Sequence, residues 1–239
     1  METESFICRS DNYGVIVRDV ATGHVASIDA PDAGAIDAVL TRHGWTLNTI
    51  LITHKHIDHI EGIGPLVTKY GAKVIAPHGA KADVPNADRY VGEGDRVEIG
   101  NLVADVWETP GHCSDHISYH FAQYQTIFVG DTLFVMGCGR ILDSTAEALY
   151  ASVKRIGTLP DETRIFCGHE YTLSNAKFCA AIEPNNHAIA QRLHAIGLMR
   201  DAGHFTVPTL LAAERETNVF LRAKDVTEFA ARREAKNTF

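Results

Sequence analysis

Four apolar, β-branched runs in this chain each stop at a metal-ligating side chain, and that repetition most limits how it can fold. Thr49-Ile50-Leu51-Ile52 leads into Thr53-His54-Lys55-His56-Ile57-Asp58-His59, where three imidazoles and a carboxylate fall within six residues. Val106-Trp107-Glu108-Thr109-Pro110-Gly111 runs to His112, Thr126-Ile127-Phe128-Val129-Gly130 to Asp131, and Arg164-Ile165-Phe166-Cys167-Gly168 to His169. Short apolar runs of this composition read as buried strands. Glycine directly before a ligand permits a sharp turn or a close backbone approach. Four ligand-bearing strand ends predict one site along a sheet edge, where rigid elements aim the side chains.

The donor groups are His54, His56, Asp58, His59, His112, Asp131 and His169, seven in all. Imidazole and carboxylate suit zinc, iron and manganese alike. Seven donors exceed the needs of one tetrahedral zinc and match two metals sharing a carboxylate. The five cysteines (8, 113, 138, 167 and 179) contain no C-x-x-C pair, so neither a disulfide framework nor a thiolate zinc site is indicated. Cys138 and Cys167 read as buried thiols packing as small hydrophobes. The net charge of −8 argues against a nucleic-acid partner. It leaves room for an anionic small substrate held by a local basic patch. No 18-residue apolar run and no basic leader with an apolar stretch is present, so no membrane partner and a cytoplasmic location are expected.

Strand patterns at Tyr13–Arg18, Val25–Ile28 and Lys73–Ala76, and again between Arg96 and Phe166, alternate with helical periods at Asp32–His43, Gly62–Tyr70 and Thr145–Ile156. This order fits an α+β class with two sheets sandwiched between helices. From Tyr171 the pattern is helical, at Thr172–Ile182, His187–Ala202 and Val226–Ala235, with no strand signal after His169. The expected division is a catalytic domain over 1–170 and a helical C-terminal domain over 171–239. Asp29 admits two readings, a turn residue or a carboxylate that orients a metal ligand. His116 and His120 read as loop or strand histidines.

These motifs resemble the metallo-β-lactamase-fold superfamily and, within it, glyoxalase II, the hydroxyacylglutathione hydrolases. The superfamily motif Thr-His-x-His-x-Asp-His stands at 53–59, with Thr-Pro-Gly-His at 109–112 and Gly-Asp-Thr-Leu-Phe at 130–134. Gly-Cys-Gly at 137–139, Gly-His-Glu-Tyr-Thr at 168–172 and Arg-Glu-Ala-Lys-x-x-Phe at 233–239 point to glyoxalase II. The resemblance implies an αββα sandwich with a small substrate-binding helical C-terminal domain. It implies two divalent ions per chain, expected to be Zn, with Fe or Mn as alternatives. His54, His56 and His112 would hold one ion, Asp58, His59 and His169 the second, and Asp131 would bridge them.

It further implies that a metal-bridging hydroxide, set by the catalytic carboxylates Asp58 and Asp131, attacks the thioester of S-D-lactoylglutathione. The products would be glutathione and D-lactate, the second step of methylglyoxal detoxification. Glutathione contacts are implied at Arg140, Tyr171, Arg233 and Lys236. Leu142 departs from the aromatic residue that some members carry there. Arg233 and Lys236, three residues apart, would share a helix face and act on KM. The chain is expected to act as a monomer. Alternatives on the same fold are a glutathione persulfide dioxygenase and another hydrolase such as a lactonase.

Overall fold

The N-terminal sheet begins earlier than the alternating pattern predicts. In this computed structural model, which describes residues 1–239, β1 (Glu2–Cys8) pairs antiparallel with β2 (Asn12–Arg18). β2 pairs antiparallel with β3 (Val25–Ile28). Helix α1 (Ala33–His43) then carries the chain over to β4 (Thr49–Leu51), which lies parallel to β3. The short helix α2 (Ile57–Ile60) and α3 (Ile63–Tyr70) lead to β5 (Lys73–Pro77), which is followed by β6 (Arg89–Val91), a strand within a stretch that carries no alternation. The six strands lie in the order β1-β2-β3-β4-β5-β6, the last four parallel. β7 (Arg96–Ile99), β8 (Leu102–Glu108) and β9 (Ile117–Phe121) form an antiparallel ribbon.

These elements belong to a unit of Met1–Glu108 and Asp115–Tyr124, while Thr109–Ser114 and Gln125–Phe239 form a second unit. The expected boundary at 170 therefore falls inside the second unit. In the first, α1 starts where the Asp32 side chain accepts the Ala35 N–H at 3.0 Å and stops at Gly44 in the left-handed conformation. Its Ile36, Val39 and Leu40 bury against Ile16, Ile50, Ile52 and Val74. Each fully buried side chain of this size contributes about 1.5–3 kcal/mol, so β4 is anchored immediately before the histidine run.

The second unit holds β10 (Thr126–Phe128), the hairpin β11 (Leu133–Phe134) and β12 (Gly137–Cys138), α4 (Ala146–Ile156) and β13 (Arg164–Phe166). It continues through α5 (Thr172–Ile182), α6 (His187–Asp201), β14 (Thr209–Leu210), α7 (Leu211–Thr217) and α8 (Val226–Asn237). β10 and β13 are parallel, and β14 adds antiparallel to β13. The expectation of no strand after His169 is thus corrected: β14 has two residues, too few to show a period, and its pairing with β13 supplies what sequence does not. α7 is held by a fully buried carboxylate. Glu214 Oε1 accepts from Arg192 Nη2 at 2.5 Å and Thr209 Oγ1 at 2.8 Å, and Oε2 from Met136 N at 2.8 Å and Asn218 Nδ2 at 3.0 Å. Asn218 also donates to the carbonyls of Phe134 and Gly137, so the 133–138 hairpin hangs on α7. The α+β class is borne out, and no helix is long and apolar enough to cross a membrane.

Candidate metal centre

In the first unit, the chain leaves the sheet after β4 and turns through Thr53 to place His54 fully buried. The His54 ring lies 4.7 Å from that of His56 and 4.0 Å from that of His59, centroid to centroid. Asp58 Oδ2 stands 3.6 Å from His59 Nε2 and accepts from Asn12 Nδ2 at 3.1 Å.

Asp29, left open by sequence, turns out to organise this cluster. It sits at φ +57°, a left-handed conformation that Asp tolerates better than most residues. Its Oδ1 accepts the Thr53 N–H at 2.7 Å, and its Oδ2 accepts from Thr53 Oγ1 at 2.8 Å and His59 Nδ1 at 2.8 Å. Because Thr53 Oγ1 spends its proton on Asp29, it receives a hydrogen bond from His54 Nδ1 at 3.0 Å. Both imidazoles are therefore protonated on Nδ1, which turns the Nε2 lone pairs toward any cation. Outer partners of this kind fix the tautomer and the ring plane of a metal ligand.

The second unit gathers the other three groups. Asp131 Oδ2 lies 3.5 Å from His112 Nε2 and 3.3 Å from His169 Nε2. His112 Nδ1 donates to the Arg140 carbonyl at 2.8 Å, so the lone pair of the ring again lies on Nε2. His169 stacks on Tyr171, with ring centroids 4.9 Å apart and planes 4° from parallel. Two glycines make this packing possible. Gly111 has φ +146°, and a Cβ there would meet Leu149 Cα at 2.3 Å. A Cβ on Gly139 would fall 2.0 Å from the Asp131 carbonyl oxygen. All five cysteines are free and buried, and burial pushes the Cys138 thiol up to about 11 and Cys167 up to about 12, so both are neutral thiols near pH 7.

Of the expected glutathione contacts, Arg140 and Tyr171 are exposed, Lys236 is half-buried and Arg233 is only 6% exposed. Arg233 Nη1 donates to the Cys138 carbonyl at 2.7 Å and the Gly139 carbonyl at 3.4 Å, and its guanidinium lies 5.2 Å from the Phe220 ring centre. Lys236 Nζ donates to Ser174 Oγ at 2.7 Å. Burial, then the nearby charges of Arg233 and Arg140, lower the Lys236 pKa. The three cations thus form one electropositive cluster. Leu142 is exposed. Sequence reasoning missed Asn12 on Asp58 and the stacking of His116 on His54 at 4.8 Å. Neither carries a spacing signal.

Clusters of imidazoles and carboxylates, with Nδ1 of His54, His59 and His112 each held by an outer partner, suit a divalent cation and point to the metallo-β-lactamase class. Comparison with known proteins agrees. The metallo-beta-lactamase superfamily matches residues 28–169, and the hydroxyacylglutathione hydrolase C-terminus matches 170–239. A hydroxyacylglutathione hydrolase of Methylobacterium sp. (strain 4-46) is 49% identical over 224 residues, 94% of this chain and 88% of that protein. The crystal structure of ETHE1 from Myxococcus xanthus is similar with a TM-score of 0.77 at 29% identity, covering 99% of this chain and 92% of that one. The structure of TTHA1623 in a di-iron-bound form is similar with a TM-score of 0.57 at 28% identity, covering 66% and 87%. The chain belongs to the hydroxyacylglutathione hydrolase family of the metallo-β-lactamase superfamily, and its His and Asp clusters suit a divalent metal.

Proposed function

We propose that this chain hydrolyses S-2-hydroxyacylglutathione thioesters, S-D-lactoylglutathione among them, to glutathione and the 2-hydroxy acid. The observation that carries this reading is the match of residues 170–239 to the hydroxyacylglutathione hydrolase C-terminus, because that segment contributes Tyr171, Arg233 and Lys236. On this reading, as the family resemblance implies, His54, His56 and His112 would hold one ion, Asp58, His59 and His169 the other, with Asp131 shared. Zinc is the expected occupant, with iron or manganese as alternatives. When bound, two such ions supply Lewis acidity to a thioester carbonyl and lower the pKa of water.

The chain's own residues prepare that chemistry. Asp29 and the Arg140 carbonyl take the Nδ1 protons of His59 and His112, and Thr53 takes that of His54, leaving one nitrogen of each ring for the metal. Tyr171 fixes the plane of His169 by stacking. The cluster of Arg140, Arg233 and Lys236 favours a substrate that carries carboxylates, as glutathione does at both ends. In the overall reaction a C–O bond forms, the C–S bond breaks, and the departing sulfur leaves as thiolate. No serine or cysteine nucleophile is required.

The test is turnover of S-D-lactoylglutathione, with product thiol measured, together with elemental analysis of the same sample. Thiol release accompanied by about two metals per chain supports the reading. Oxygen uptake with glutathione persulfide, or turnover confined to lactones, would replace it with another reaction on the same fold.

A further inference from the structure

Three consecutive residues leading into β9, Asp115 to Ile117, grip three consecutive residues, Thr53 to Lys55, all within the first unit. Ile117 N–H donates to the Thr53 carbonyl at 2.9 Å. The His116 ring stacks on His54. Asp115 Oδ2 accepts the Lys55 N–H at 2.9 Å. Lys55 lies between His54 and His56 in a stretch without regular structure, so no ladder partner serves its N–H. Asp115 replaces that partner.

The cost of this arrangement points to a purpose. The Asp115 side chain is only 1% exposed. Its Oδ1 accepts no hydrogen bond and faces Lys55 Nζ at 3.7 Å. A buried carboxylate is unfavourable unless its contacts compensate for lost hydration. Both contacts here go to one residue, by its backbone and by its ammonium group. Room for them depends on Gly79, where a Cβ would fall 2.7 Å from Asp115 Cβ. Such a two-point hold fixes the peptide joining His54 to His56, and with it the angle between the two rings.

We infer that Asp115 is a positioning residue that presets the His54–His56 pair for its metal ion before the ion arrives. This rests on the metal reading given above. The test uses the full-length protein stripped of metal, as wild type, Asp115→Ala, Asp115→Asn and Gly79→Ala. Zinc affinity is measured by competition with a chromogenic chelator, the cobalt(II) derivative is examined by visible absorption, and the thermal midpoint of each metal-free form is recorded.

Loss of a group that orients a metal ligand characteristically weakens binding about 10–100-fold, and that is the result expected for Asp115→Ala. The Asn variant keeps an oxygen for the Lys55 N–H, so it should recover most of the affinity. Gly79→Ala should weaken zinc with the carboxylate intact, and it serves if Asp115→Ala does not fold. Altered cobalt bands in the weakened variants would support the proposal. Wild-type affinity and cobalt spectrum in Asp115→Ala and Gly79→Ala would overturn it. So would weakened variants that lose only thermal stability and regain wild-type affinity under conditions where they are fully folded. Failure of the wild type itself to take up metal would instead overturn the metal reading.

Discussion

Replacing Arg233 by alanine should reach further than a lost substrate contact. The buried guanidinium holds the Cys138 carbonyl at 2.7 Å and covers the Phe220 ring at 5.2 Å. A charged hydrogen bond is worth about 1.5–3 kcal/mol and a cation–π contact about 0.5–2 kcal/mol, so unfolding should become easier by about 2–5 kcal/mol. In urea this moves the midpoint down by roughly 1–2.5 M, for a slope of about 2 kcal/mol/M. The loss should also travel. Gly139 packs on the Asp131 carbonyl and the Arg140 carbonyl holds His112, so loosening 138–140 should lower metal content and kcat as well as raise KM. Lys236→Ala, at a half-buried position bonded to Ser174, should raise KM with little change in kcat or unfolding midpoint. The assays are urea unfolding, metal analysis and steady-state kinetics on a glutathione thioester. An Arg233→Ala protein with an unshifted midpoint, full metal and only a raised KM would refute the structural role.

Asp131→Asn should lower metal content and hydrolysis together, since a neutral amide bridges two cations poorly; elemental analysis beside turnover checks this, and a variant keeping both would remove Asp131 from the centre. A strong chelator should abolish thioester hydrolysis, with zinc, iron or manganese restoring it to different extents; activity surviving full demetallation would require another nucleophile. Lys236 is charged below its pKa, which burial and the neighbouring arginines lower from the usual lysine value of 10.5. Affinity for a non-hydrolysable S-alkylglutathione, followed by calorimetry, should therefore decline with rising pH sooner than for an ordinary lysine. Lys236→Arg should hold it to higher pH.

The strands that end at ligands were legible because β4, β10 and β13 are buried apolar runs, and burial on both faces leaves a continuous hydrophobic signature. The helical periods read over 32–43 and 145–156 became α1 and α4, which the structure caps with Asp32 and Thr145. β1 was missed because its burial pattern does not alternate cleanly, and β14 because pairing rather than composition creates it. Arg233, Glu214 and Asp115 are charged residues that sequence alone assigns to the surface. Each is buried mostly by partners far along the chain, up to 95 residues away, which local periodicity cannot register. The same holds for Asp29, whose acceptors serve residues 24 and 30 positions along the chain.

Asp29 also limits what this position can become. A left-handed backbone admits Gly, Asn and Asp most readily. Gly offers no acceptor for Thr53 or His59. Asn offers one oxygen for three donors and would turn an N–H toward one of them. Glu has the carboxylate, but its extra methylene displaces it from these donors and it lacks the backbone preference. The site is therefore nearly monomorphic in principle: of twenty possible letters, one satisfies the backbone and the two donor residues together. In a saturation library screened for zinc retention, the mutational tolerance of this chain should fall to its floor at a residue outside the seven proposed ligands.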